Sequence, residues 1–132
     1  MRNIFMLLSA LVGFFSFACA IENDAAQTSQ MEPMPIISAS VADTQAVGEK
    51  IEFQAVAQTP NPCWKFNRFD IAQSDSEVNV KVLAEYDDNS PCEQVIDTLN
   101  ANGSVMLMTP GVYTLKFWRG DEGMLTRQVV VQ

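Results

Sequence analysis

Apolar and polar side chains alternate with a period close to two through most of this chain. Ile51, Phe53, Ala55 and Ala57 are interleaved with Lys50, Glu52 and Gln54, and Val78, Val80, Val82 and Ala84 with Asn79, Lys81 and Leu83. Successive strand residues face opposite sides of a sheet, so each run gathers an apolar face on one side. The same rhythm predicts strands over residues 36–42, 50–57, 64–72, 77–86, 104–108, 112–118 and 125–131. About seven short strands of this kind, spaced by turn residues, predict an all-β antiparallel sandwich.

The breaks carry turn chemistry. Val47-Gly48 and Thr109-Pro110-Gly111 mark turns, Ser74-Asp75 closes one expected hairpin, and the stretch from Arg119 through Gly123 closes another. Residues 91–102 are ambiguous. Ser90 can cap a helix with Pro91 in its first turn and Glu93 reaching back, which groups Val95, Ile96 and Leu99 on one helical face. Alternatively, Asn102-Gly103 is a hairpin turn joining a short strand to residues 104–108. The surrounding β pattern favours a strand or an irregular edge segment.

The N-terminus breaks the alternation. Arg2 precedes a continuous apolar run over residues 4–18, which ends in Phe15-Ser16-Phe17-Ala18-Cys19. About fifteen apolar residues suit a secretory signal and fall short of the roughly twenty that span a bilayer. Residues 1–19 are therefore expected to be a signal peptide. Two processing routes fit: a bacterial lipobox, with a lipid on Cys19 as the new N-terminus, or ordinary cleavage at Ala18-Cys19-Ala20. The first places the protein on a bacterial membrane, facing the periplasm or exterior, and the second makes it periplasmic or secreted. Residues 20–35, with Glu22, Asp24 and Glu32 and no apolar periodicity, read as a flexible acidic tether. Residues 36–132 form the expected domain.

Export makes cysteine pairing expected. Once Cys19 is lipidated or removed, Cys63 and Cys92 remain, and in an oxidising compartment they are expected to form one disulfide. A hairpin about Ser74 and Asp75 sets residue 63 opposite residue 86 or so, a short loop from Cys92. No C-x-x-C and no histidine occur in the chain. A metal site is therefore not expected, nor any cofactor. Removing the signal takes away Arg2 and leaves sixteen acidic side chains against seven scattered basic ones, a net charge of −9. Such a surface excludes nucleic acid as a natural partner.

The order Thr109-Pro110-Gly111-Val112-Tyr113-Thr114-Leu115-Lys116-Phe117-Trp118, followed by a glycine-bearing turn and Arg127-Gln128-Val129-Val130-Val131, resembles the closing strands of bacterial immunoglobulin-like domains. The resemblance implies an exported immunoglobulin-like sandwich and carries no catalytic residue with it. A second resemblance is to chagasin-like inhibitors of cysteine peptidases. Thr59-Pro60-Asn61-Pro62-Cys63-Trp64 stands where their first inhibitory loop would, and Phe117-Trp118-Arg119-Gly120 near their third. Of the family's Asn-Pro-Thr-Thr-Gly loop only Asn61-Pro62 is present, and its Arg-Pro-Trp element is reversed here as Trp118-Arg119.

Without histidine the chain lacks the usual base for neutral pH, and paired thiols are not nucleophiles, so an enzyme is not expected. Asp87-Asp88-Asn89 reads as turn chemistry, with calcium as the alternative. Arg119-Gly120-Asp121 matches an integrin-binding tripeptide, and also suits a tight turn. Of the aromatics, most are expected in the core, with Phe69 needing a bulge to join the face of Trp64 and Phe66. The candidate binding loops are those bearing Asn61, Trp64, Trp118 and Arg119, because sandwiches bind through clustered end loops. The sequence thus predicts a non-enzymatic envelope lipoprotein or secreted binding module for a protein or glycan, with an inhibitor of secreted peptidases as the alternative.

Overall fold

The computed structural model describes residues 29–89 and 91–132. The expected signal segment, lipid site Cys19, most of the expected tether and Ser90 lie outside the described residues. Among the described residues the fold is an all-β sandwich of nine strands, β1 (Met31–Met34), β2 (Ile36–Val41), β3 (Thr44–Gln45), β4 (Lys50–Thr59), β5 (Trp64–Ser74), β6 (Glu77–Tyr86), β7 (Asp97–Met106), β8 (Gly111–Trp118) and β9 (Met124–Val131).

The alternation lands as the pattern predicts. Ile51, Phe53, Ala55 and Ala57 of β4 face Val78, Val80, Val82 and Ala84 of β6 across the core, joined by Leu115 and Phe117 of β8 and Val129 and Val131 of β9. At about 1.5–3 kcal/mol per fully buried large apolar side chain, this layer is the main stabilising term. Phe53 meets Phe69 and Phe117 edge to face, at centroid distances of 5.0 and 5.6 Å. Phe69 reaches that layer through a register shift between Phe66 and Arg68, where Asn67 is the extra residue. This is the bulge that the aromatic spacing demands.

Three features differ from the expected layout. First, Met31–Met34, inside the expected tether, pairs antiparallel with β6 from Met31 opposite Glu85 to Met34 opposite Val82, and Met34 is buried. Two prolines beside short polar residues hide this strand, because a four-residue edge is too short to show a period. Second, Asp97–Met106 is one ten-residue strand paired with β4 along its whole length, so Asn102-Gly103 is mid-strand and closes no hairpin. Residues 91–96 form no helix. Third, the larger sheet is mixed: its order is β1-β6-β8-β9-β3 with β5 on the other side of β6, and β6/β8 and β3/β9 run parallel.

The parallel pair has a physical cause. Parallel neighbours need a crossover of a dozen or more residues. Here the chain leaves β6, runs back through β7 in the three-stranded sheet β2-β4-β7, and returns into β8. The β5–β6 hairpin turns on Asp75 and Ser76, one residue later than expected, with Asp75 at φ 35°. Aspartate is among the few side chains that tolerate this region. Tyr113 Oη donates to Thr109 O at 2.8 Å, tying the start of β8 to the preceding turn as the tyrosine corner does in immunoglobulin-type sandwiches.

Candidate functional site: the disulfide-clamped end

One end of the sandwich is assembled from the β4–β5 loop and the long β6–β7 connection. Asn61 is buried, and its Oδ1 accepts the Cys63 N–H at 3.1 Å, an Asx turn that folds Thr59-Pro60-Asn61-Pro62 over the core. Cys63 and Cys92 are bonded, with Cα atoms 5.8 Å apart. The Cys63 N–H also lies 3.1 Å from Cys92 Sγ, and Asp87 N–H donates to Cys63 O at 2.9 Å. The two loops are thereby clamped together at their bases.

Trp64 closes the core beneath this clamp, edge to face with Tyr86 at 5.3 Å. Beside it, Asp87 Oδ1 accepts both the Asn89 backbone N–H at 3.1 Å and the Asn89 Nδ2 at 2.7 Å. The backbone bond, then the side-chain bond, hold the Asp87 carboxyl below its ordinary value of 3.8, helped by the charge of Lys65 and opposed by desolvation. Two adjoining shallow depressions of about 770 and 400 Å³ share Lys65 and Asp87, and between them take in Tyr86, Asp88, Cys92 and Glu93. Past the disulfide the chain carries Val95 and Ile96 into solvent, 52% and 70% exposed.

The four expected binding residues do not converge. Asn61 and Trp64 are at this end, but both are buried and act structurally. Trp118 stands on the outer face of the larger sheet with Lys81 Nζ 5.9 Å from its ring centroid. Lys81 precedes Tyr86 by five positions on β6, about 16 Å at a strand rise of 3.3 Å. Arg119 turns back on Glu122, Nη2 to Oε2 2.8 Å, and its Nε is buried without a hydrogen-bond partner. The Arg119-Gly120-Asp121 tripeptide accordingly sits on a 3₁₀ turn, Gly120–Glu122, with its arginine already paired. The β8–β9 hairpin ends partway along β6, and β1 occupies the remaining length of that edge.

Sequence reasoning passed over Val95 and Ile96 as a binding surface because they fitted a helical face. Their signal was an apolar pair between Glu93 and Asp97 in a polar stretch. Among the described residues no group of three or more acidic or cysteine side chains is arranged to hold a metal ion. The fold and this end define an exposed-loop β-sandwich. No family model, curated protein or solved structure matches the chain.

Proposed function

We propose that the chain is a non-enzymatic binding module of the cell envelope, held on a bacterial membrane by lipid at Cys19 or released by simple cleavage. Its disulfide-clamped end takes a protein partner. The observation that supports this reading is the exposure of Val95 and Ile96 on a connection whose base is tied to the core through Cys92. A tied loop has already lost much of the freedom that binding would remove, so apolar side chains on it favour association more than the same residues on a free segment. Glu93 and Asp97 flank the pair along the chain, and Asp87 and Asp88 stand at the same clamped end, which suits a partner surface that joins an apolar patch to basic groups.

A photoreactive residue at position 96, compared with one at Thr126 on the outer face of β9, tests the surface in cells. A defined adduct is expected from 96 alone, and it should vanish in the Cys63→Ser/Cys92→Ser chain. Equal labelling from both positions, or none from 96, rejects the surface. Membrane attachment is tested separately: Cys19→Ala should move the protein from the membrane to the soluble fraction, and an unchanged distribution favours simple secretion. The inhibitor reading asks for Trp118 and Arg119 beside Asn61 and Trp64, and their separation weighs against it.

A further inference from the structure

Among the described residues β5 and β7 are the longest edge strands of the sandwich, and only β5 is guarded. Strand β5 borders the larger sheet with Lys65, Arg68 and Asp70 along it and a bulge at Asn67, the devices by which edge strands resist pairing with other chains. Strand β7 borders the smaller sheet. It pairs with β4 without a register shift from Asp97 to Met106, and among the described residues no strand pairs with its other side. Its sequence, Asp-Thr-Leu-Asn-Ala-Asn-Gly-Ser-Val-Met, has no proline and no charge after Asp97. Alternate residues of this ten-residue strand thus turn unpaired N–H and C=O groups to an edge without a bulge and without charge beyond Asp97.

We propose that this edge pairs with the β7 edge of a second copy of the same chain, antiparallel about Ala101. The strand is self-complementary in that register. On the outer face, Asn100 meets Asn102 of the second copy and Thr98 meets its Ser104, so amide faces amide and hydroxyl faces hydroxyl. On the inner face, half-buried Leu99 comes beside Gly103, whose missing side chain leaves room for the Phe53 and Phe69 rings, and Asp97 faces Val105. No like charges stand opposite one another, which is the arrangement that antiparallel neighbours require. The exposed β4 and β2 neighbours of Asn102, Gln54 and Ser40, are uncharged as well. In a chain of net charge −8, the outer β4 face behind this edge carries Lys50 and Glu52 and no other charge, so few like charges separate two copies there. The product is one continuous sheet, β2-β4-β7 of one copy running into β7-β4-β2 of the other, and at each end of the seam Ile96 of one copy comes opposite Met106 of the second.

Sedimentation of the purified mature chain over a range of concentrations tests the pairing. A monomer–dimer equilibrium is expected. Asn100→Lys/Asn102→Lys places lysine against lysine twice and should weaken self-association about tenfold or more; Asn100→Glu/Asn102→Glu should do the same. An equimolar mixture of the two should restore dimers that are mixed in composition, a rescue that misfolded chains cannot give. Thr98→Lys with Ser104→Lys is the second pair, should the first disturb the melting temperature. A wild-type chain that stays monomeric throughout, or lysine variants that dimerise unchanged, would overturn the proposal. An adduct from position 96 whose mass differs from twice that of the chain, and that persists when the lysine variants abolish dimers, separates the binding reading above from this inference.

Discussion

Gly103 shows how much a single missing side chain can specify. A Cβ built there would collide with Phe53 Cζ and lie 2.7 Å from Phe69 Cε2, so the edge-to-face pair of rings occupies the space glycine leaves. Gly103→Ala should therefore destabilise by about 1–3 kcal/mol through overpacking. Chemical denaturation measures it, and a change near zero would mean the rings can move aside. At Asp87 the effect is electrostatic. The two Asn89 bonds favour the carboxylate in the folded state, so their contribution is complete above the ordinary carboxyl range and fades as pH falls through the lowered folded value. Asn89→Ala should raise the Asp87 midpoint towards 3.8, read by NMR titration; an unmoved midpoint would transfer the cause to Lys65.

Among the elements, β1 and β7 resisted reading from the sequence, for opposite reasons. Met31–Met34 is too short for a period to show, and Pro33 and Pro35 suggest a linker. Only its partner, the edge of β6 left free beyond β8, makes it a strand. Met34→Ala should cost about 2–4 kcal/mol, whereas Glu32→Ala, on the exposed side, should change stability by less than about 0.5 kcal/mol. Equal effects would mean that β1 does not dock. In β7, Asp97, Asn100, Asn102 and Gly103 are poor strand formers. The strand exists because β4 offers ten consecutive partners, and Ala101 and Leu99 tuck under it. By contrast β6, whose alternation is interrupted only at Leu83, was legible from end to end.

At the scale of the whole molecule, the disulfide joins the β4–β5 loop to the β6–β7 connection. Twenty-nine residues separate Cys63 from Cys92. Closing a loop of that size restricts the unfolded chain by about 3–4 kcal/mol in the chain-entropy account. Cys63→Ser/Cys92→Ser should lose about that much in reductant-free denaturation, and a loss well under 1 kcal/mol would indicate a residual structure that already holds the loop closed.

Alternation, turn residues and the spacing of two cysteines were enough to derive an all-β sandwich, most of its strands, its apolar faces and its bridge, because each of those is a local consequence of side-chain direction or chain reach. Even the bulge ahead of Phe69 followed from spacing alone. Which strands lie side by side did not, nor did the parallel β6/β8 pair, the docking of β1, or the distance between Trp64 and Trp118. A strand's own residues state which face is apolar, but its neighbours are chosen by the packing of every other element at once. A surface such as Val95-Ile96 or the open side of β7 is defined by what the rest of the chain leaves uncovered.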